Sequence, residues 1–282
     1  MKGRKSPENR SAARTLRVCL LCHLRRADET LDYPANLLHR HRKVPDRRSA
    51  QRVATARTQA KLILGWYRDG TRVAGLGSDH RLSQATTYRY LHKGIDVLAA
   101  QAPDLHEGIA PAKADGLPYV TLDGTLISTD RLAERGANGH HLWHSGKHKR
   151  FGGNIQVIAD PTGFPLWTSP VEPGSTHDLS TARAHCLGAL YPAAAAGLPT
   201  LADKGYQGAG IGVHTPIRGR GLGVDNRAYN KLLTGMRAIG ERANALLDQR
   251  WKALRHITLS PSRIVAIVAG ALVLTTLEKG SR

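Results

Sequence analysis

The sequence predicts a mixed α/β domain preceded by a helical, basic N-terminal half. Apolar residues follow helical spacing up to about residue 100, and from Leu117 onwards short segments alternate in the manner of strands. Charge changes at the same place. Residues 1–100 hold 21 Lys and Arg against 8 Asp and Glu, whereas residues 101–282 hold 20 against 14. A strongly basic half attached to a nearly balanced half indicates a polyanion-binding module on a second domain.

Composition excludes several classes of protein. The 282 residues are 41% hydrophobic, which is typical of a globular chain. The longest apolar run, Ile264–Leu277, is shorter than the ~20 residues of a membrane-spanning helix, so we expect a buried helix and no membrane partner. We expect no signal peptide and a cytoplasmic location. Cys19, Cys22 and His23 match a haem-attachment spacing, but that chemistry needs export, which the N-terminus does not favour. Zinc would need a second ligand pair, which does not follow, so two thiols and a His on one face of a basic helix are favoured.

The N-terminal half divides into a tail and a helical region. Residues 1–15 are polar and basic and are predicted to be a disordered tail, and residues 16–100 are predicted to be a helical DNA-binding domain. Its first helices are expected near Leu16–Arg26, Tyr33–Arg42 and Ser49–Arg68. The charge block His39–Lys43 is either a solvated helix end or a phosphate contact.

A helix-turn-helix is predicted towards the end of this domain. A short helix over Val73–His80 is followed by a second that Ser83 caps. Thr87, Leu91, Ile95 and Leu98 share the inner face of this second helix. Its outer face is small, polar and basic, as a recognition helix in a major groove requires, although an ordinary amphipathic helix has the same pattern. The predicted DNA contacts are Gln84, Thr86, Arg89 and Lys93.

The C-terminal half is predicted to be a catalytic domain over residues 117–282, joined through a linker at 101–116 that contains two prolines. Strands are expected at 118–127, 154–159, 164–169 and 198–202, the second and third forming a hairpin around Asp160–Gly163. Helices are expected at Ser175–Leu190 and Asn226–Leu254. Strands followed by alternating strand and helix indicate an α/β fold.

Three acidic residues stand where such a fold places an active site. Asp123 lies in the first strand, Asp203 ends a later strand, and Glu241 lies on the long helix. Carboxylate oxygens are hard ligands that suit Mg²⁺ or Mn²⁺, and two such ions activate water at a phosphodiester. Each acid alone has an ordinary alternative, because a strand-end aspartate often caps a turn and a helical glutamate is usually solvated.

The order of motifs resembles one family. The chain is similar to the DDE transposases of the bacterial insertion-sequence 5 family, related to the Harbinger-type superfamily, in the segments Asp123–Ile127, Ser145–Lys149, Gly153–Val157, Pro173–Asp178, Leu201–Gly208 and Gly240–Ala245. The resemblance implies a ribonuclease H-like fold, with Asp123, Asp203 and Glu241 as catalytic and metal-binding residues for two Mg²⁺ or Mn²⁺ ions. It also implies terminal inverted repeats and target DNA as partners, a homo-oligomeric synaptic complex, and a nucleoid location in a bacterial cytoplasm.

Other polar residues surround these acids in the sequence. Asp178 is the rival acid, which we interpret as a residue that supports the site, with direct metal contact as the alternative. His177 and Arg237 are expected to act in the same supporting way. The basic loop Lys147, His148, Lys149 and Arg150 is expected to contact DNA phosphates. The alternative function is a catalytically decayed or domesticated DNA-binding protein that keeps the fold.

Overall fold

A computed structural model describes residues 28–41 and 53–280 of the chain. The predicted tail at 1–15, the predicted helix Leu16–Arg26 and the Cys19–His23 motif lie outside these residues. Within them the N-terminal half is helical. Its helices are α1 (28–41), α2 (Ala56–Asp69), α3 (Val73–Asp79) and α4 (Gln84–Ala99). Helix α2 begins later than its predicted start at Ser49, because Thr55 accepts the backbone N–H of Thr58 as N-cap.

Helix α4 has the two faces that the sequence predicts. The Ser83 hydroxyl accepts the backbone N–H of Thr86 and caps the helix. Thr87, Leu91, Ile95 and Leu98 are all fully buried, which confirms the inner face. Gly94 allows α2 to approach closely, since a Cβ there would overlap Ile63. Helices α3 and α4 are joined by the short turn at 80–83.

The predicted linker at 101–116 is instead largely helix. Helix α5 runs over Leu105–Ala114, and it starts at a reciprocal capping box in which Asp104 accepts the N–H of Glu107 while Glu107 accepts that of Asp104. Ile109 and Ala112 are buried by this helix. Gly108 faces the carbonyl of Leu166, where an added Cβ would lie 3.0 Å away. The segment is thus helical despite its two prolines, and its role as a linker between two domains stays a prediction.

A mixed sheet forms the centre of the C-terminal half. Its strands are β1 (Val120–Ser128), β2 (His144–Ser145), β3 (Arg150–Ala159), β4 (Pro165–Thr168), β5 (Glu172–Pro173), β6 (Thr200–Ala202) and β7 (Val213–His214). In the described residues the order is β2-β3-β1-β6-β7, and β4 and β5 also pair with β3. β1 runs antiparallel to β3 and parallel to β6, which itself runs parallel to β7. The predicted α/β architecture is confirmed, and it is compatible with a ribonuclease H-like domain.

Helices cover both faces of the sheet. Helices α5, α6 (Asp178–His185) and α7 (Leu187–Ala195) pack on the face that contains Leu122 and Ile158. Helices α8 (Val224–Asp248) and α9 (Ile264–Lys279) pack on the other, against Ile155 and Val157. The single helix predicted over Ser175–Leu190 is interrupted at Cys186, whose φ of −137° is not helical.

The apolar C-terminal run forms α9 as predicted. Ile267, Val268 and Leu272 are buried, but Val265 is 38% exposed because it lies on the side of the helix away from the core, so that part of the prediction was wrong. The segment Pro261–Lys279 is long and apolar enough to cross a membrane by length and composition alone, and half of its most apolar stretch is buried inside the protein.

The helical half and the α/β domain share one hydrophobic core. The buried Tyr67 hydroxyl of α2 donates to the carbonyl of Ile267 in α9 at 3.1 Å. Arg263, just before α9, forms an ion pair with Asp96 of α4. Trp251 stacks edge-on with Tyr67, and its indole N–H donates to Thr275. The N-terminal helices therefore pack against α9.

Candidate active site

The parallel pairing of β1 and β6 places Asp123 and Asp203 at the same end of the sheet. Leu122 is aligned with Ala202, so the two aspartates follow side by side. Asp203 then leaves the strand and caps the short 3₁₀ helix Lys204–Tyr206, where its Oδ1 accepts the N–H of Gly205 at 2.7 Å. Two of the three sequence-predicted acids are therefore brought together by strand register alone.

Helix α8 crosses β1 at Asp123. Asn244 donates from Nδ2 to Asp123 Oδ2 at 2.9 Å. One turn earlier, Gly240 touches β1, where a Cβ would lie 2.6 Å from Thr121 Oγ1. Glu241 is on the same helix but is exposed, and its side chain makes no hydrogen bond or ion pair with the residues that the structure describes. Arg237, two turns before Asn244, is half-buried.

The charged groups that shift the pKa of Asp123 indicate which residues belong to the site. Burial raises the pKa of Asp123 from 3.8 to about 6, while the charge of Arg237 lowers it. The negative charges of Asp203 and Asp178 also raise the pKa of Asp123, whereas the positive charge of Lys147 lowers it. Three carboxylates and two basic groups therefore act on one another at this end of the sheet.

Asp178 lies inside this cluster. A Cβ on Gly124 would come within 2.5 Å of Asp178 Oδ1, so only a glycine leaves room for that carboxylate beside β1. Asp178 also adjoins Asp203, because the Cβ position of Gly205 is 3.8 Å from Asp178 Oδ2 and 2.8 Å from Asp203 Oδ1. The rival acid of the sequence analysis is thus a neighbour of both strand aspartates.

A chain of hydrogen bonds fixes the Asp178 carboxylate. Lys147 Nζ donates to its Oδ2 at 3.0 Å, and Asn154 Nδ2 donates to its Oδ1 at 2.9 Å. Gln156 Nε2 donates to Asn154 Oδ1 at 3.3 Å, and the Tyr206 hydroxyl donates to Gln156 Oε1 at 2.6 Å. Burial and the nearby carboxylates raise the pKa of Tyr206 well above 10, so the hydroxyl remains a donor.

Sequence reasoning missed four members of this site: Asn154, Gln156, Tyr206 and Asn244. A signal was present for two of them, because Asn154 and Gln156 are polar at alternate positions of a strand that is otherwise apolar and buried. Tyr206 and Asn244 lie in segments that resemble the family, but no local pattern indicates their hydrogen bonds, since their partners lie 50 and 121 residues away in the chain.

The basic loop lies beside a cavity of about 290 Å³ that Lys147, His148, Asn154, Thr176, His177 and Asp178 help to line. Burial and the neighbouring Lys147 lower the pKa of His148. His177 is the N-cap residue of α6, and its carbonyl accepts the Thr181 hydroxyl. Lys149 and Arg150 are exposed at the start of β3. Of this loop, Lys147 contacts the acidic cluster through Asp178.

The predicted DNA contacts of α4 lie on a helix that packs against α2, α3 and α9. Gln84 and Arg89 are exposed, and Arg89 donates to the Thr86 hydroxyl. Lys93 is half-buried and donates to the side chain of Gln59. Both Arg89 and Lys93 lie over the Tyr90 ring. Only part of this face is thus open to solvent.

The donor set suits a hard divalent ion in chemistry, because it consists of carboxylate oxygens with neutralising cations near them. Among the described residues, no group of three or more His, Cys, Asp and Glu side chains is close enough to hold a metal ion. Asp123 and Asp203 are adjacent, and the exposed Glu241 would complete a site only by turning its side chain towards them.

A mixed sheet with two aspartates at one end of adjacent strands is an arrangement that metal-assisted phosphodiester cleavage can use. The model of the DDE superfamily endonuclease family matches residues 122–276, and the chain belongs to that family. Enzymes of this superfamily generally depend on divalent metal ions and act on DNA. No curated protein and no solved structure matches the chain.

Proposed function

We propose that the protein is a transposase of the insertion-sequence 5 or Harbinger-like type, which binds terminal inverted repeats and then cleaves and joins DNA strands. The observation that carries this proposal is the placement of Asp123 and Asp203 on adjacent parallel strands, with α8 crossing β1 at Asp123. The family match supports the same chemistry, since its members are endonucleases.

Asp123, Asp203 and Glu241 are the proposed catalytic and metal-binding residues. Two Mg²⁺ or Mn²⁺ ions, when bound by these carboxylates, would supply the Lewis acidity that phosphodiester cleavage needs. Asn244 orients the Asp123 carboxylate, and the network through Asn154 and Gln156 holds Asp178. Lys147 and Arg237 balance the negative charge of the acids and of an incoming phosphate.

The proposed reaction has two steps. Water attacks a phosphodiester at the transposon end and leaves a 3′-hydroxyl on one strand. That hydroxyl then attacks a phosphodiester of the target DNA, so one bond forms as another breaks, and no covalent link between protein and DNA is required. We propose that this occurs in a homo-oligomeric complex on bacterial nucleoid DNA.

Helices α3 and α4 are the proposed reader of the inverted repeats. Gln84, Thr86 and Arg89 face outward from a helix whose inner face is fully buried, which is the arrangement that a recognition helix needs. We propose that Lys93 contacts a phosphate at the edge of this face. The basic charge of residues 1–100 supports non-specific affinity for the duplex.

A nicking assay tests the proposal. The full chain is incubated with a supercoiled plasmid that carries the DNA flanking its gene, with Mg²⁺, Mn²⁺ or EDTA. We expect nicks at the repeat ends that require a divalent ion and that disappear in Asp123→Asn, Asp203→Asn and Glu241→Gln. Asp115→Asn, an exposed aspartate at the end of α5 and outside the proposed DNA-binding helices, is the control and should cut normally. Specific binding without any cleavage would instead indicate a decayed, DNA-binding protein.

A further inference from the structure

A second basic surface follows the opposite edge of the sheet from Lys147. In the order β2-β3-β1-β6-β7, the Lys147 loop joins β2 to β3 at one edge, and the loop 215–223 follows β7 at the other. The loop 215–223 and the first part of α8 contain Arg218, Arg220, Arg227 and Lys231, which we call the α8 basic surface. All four side chains belong to exposed residues. Across residues 215–242 there are six Lys and Arg but two Asp and Glu, so the local charge is strongly positive.

The loop that carries this surface is fixed rather than loosely tethered. Asn230 of α8 pairs with both backbone groups of Ile217: its Oδ1 accepts the N–H at 2.8 Å, and its Nδ2 donates to the carbonyl at 2.9 Å. Arg227 donates from Nη1 to the carbonyl of Leu222 at 3.0 Å. The loop is therefore held to α8 at both of its ends.

The same loop is attached to the turn that carries Asp203. Arg218 donates from Nη2 to the carbonyl of Lys204 at 2.7 Å, and Lys204 directly follows Asp203. Helix α8 then continues from this loop to Arg237 and Asn244, which act on Asp123. From Arg227 to Arg237 the helix rises about 15 Å. That length corresponds to about four phosphates of one DNA strand at ~3.4 Å each.

The positive charges of this surface are not neutralised within the described part of the protein. Arg218, Arg220, Arg227 and Lys231 make no ion pair with any residue that the structure describes. Arg218 and Arg227 each use one N–H on a backbone carbonyl, which leaves the charge and further donors of each guanidinium available. Holding several like charges near one another is unfavourable unless an anion lies among them.

We propose that the α8 basic surface binds the phosphates of DNA on one side of the candidate active site, opposite the Lys147 loop. The inference rests on the proposed function, and it adds a DNA-binding surface that includes neither α4 nor the basic loop. Lys147 reaches the acids through Asp178, and Arg218 reaches them through the turn after Asp203. A strand that passes over the carboxylates is thus held on both sides, which places its phosphodiester at the acids.

The test measures how DNA affinity depends on salt. The variant carries Arg220→Gln, Arg227→Gln and Lys231→Gln, and it keeps Arg218 because that side chain also supports the Asp203 turn. The control carries Lys113→Gln, Lys252→Gln and Lys279→Gln, three exposed residues on elements without candidate site residues, so the net charge of both proteins is equal. Binding of a fluorescent duplex is measured in EDTA across a range of salt concentrations, and unfolding curves establish that both variants fold.

The slope of log K against log salt should become shallower by about 0.9 for each phosphate that the variant no longer neutralises. We therefore expect a change of about 2–3 in the α8 variant and no change in the control. Cleavage with Mn²⁺ at moderate salt should fall in the same variant and recover at low salt, since the acids are untouched. Equal effects in both variants, or an unchanged slope, would overturn the surface assignment. Wild-type protein that neither binds nor cleaves DNA would overturn the proposed function as well.

Discussion

Asn244 in α8 donates a hydrogen bond to Asp123 in β1, across 121 positions of the chain. This bond sets how α8 lies on the sheet, because it fixes one turn of the helix against the strand that carries the first acid. Glu241 is three residues before Asn244 on the same helix, so the same hydrogen bond fixes the backbone position of the third acid relative to β1. The Oδ1 of Asn244 is buried without a partner among the described residues, which leaves an acceptor next to the site.

Replacing Asn244 should change the protein's stability in a way that depends on pH. Asn244→Leu leaves the partly buried Asp123 carboxylate without this donor and should cost about 1–3 kcal/mol in free energy of unfolding. Asn244→Asp sets a second carboxylate against Asp123, and its destabilisation should be larger at pH 8 than at pH 5, because both groups are then ionised. Urea unfolding at the two pH values measures this. Asn226→Leu, on the exposed start of α8, is the control; a destabilisation by Asn244→Asp that does not change with pH would contradict the interpretation.

The raised pKa of Asp123 predicts a second pH dependence. Burial raises that pKa from 3.8 to about 6, so between these values the folded protein binds the proton more tightly than the unfolded chain. The metal-free protein should therefore lose stability as pH rises from about 4 to 6, by as much as about 3 kcal/mol at ~1.4 kcal/mol per pKa unit. Asp123→Asn should remove this decline, whereas Asp79→Asn should follow the wild type. Unfolding in EDTA at several pH values provides the measurement, and parallel profiles for wild type and Asp123→Asn would contradict it.

Gly124 should be essential for the position of Asp178. In Gly124→Ala the new Cβ would lie 2.5 Å from Asp178 Oδ1, so the carboxylate must leave Asn154 or Lys147. We expect a destabilisation of about 1–3 kcal/mol, as for other overpacked sites. The double variant Gly124→Ala with Asp178→Ala should recover much of that stability, because the overlapping group is gone. Gly188→Ala in α7, where nothing lies within 4 Å, is the matched control and should be neutral or slightly stabilising. Equal destabilisation in the single and double variants would mean that Asp178 is not the obstacle.

The sequence predicted what local patterns determine. The Ser83 cap, the buried face of α4 and the strands β1, β3 and β4 all follow from side-chain types at neighbouring positions. Helix α5 also has a local signal, because Asp104 and Glu107 have capping-box spacing, although the two prolines of this segment indicate a linker. Hydrogen bonds such as Asn244 with Asp123 or Tyr206 with Gln156 depend on how elements that are distant in the chain pack together. The periodicity of apolar residues along one sequence does not indicate which distant elements pack against each other. The role of Glu241 as a third ligand stays a prediction.

The packing of α2 on α9 predicts that the helical half and the α/β domain unfold together. A Cβ on Gly270 would overlap the Tyr67 hydroxyl, which donates to Ile267. Gly270→Ala should therefore lower the free energy of unfolding by about 1–3 kcal/mol. Tyr67→Phe removes the nearest atom, so the double variant should be more stable than Gly270→Ala alone, a non-additive result expected of residues that touch.

Gly235→Ala is the control for this pair, because Gly235 is exposed in α8 with nothing within 4 Å. It should raise stability by up to about 1 kcal/mol through helix propensity. Far-UV circular dichroism and tryptophan fluorescence, followed through the same urea titration, should give coincident transitions in the wild type and in each variant. Two separated transitions in the wild type would show that the helical half and the α/β domain unfold independently. A single transition, with a midpoint that shifts by the same amount for both signals in Gly270→Ala, means that one core stabilises both halves.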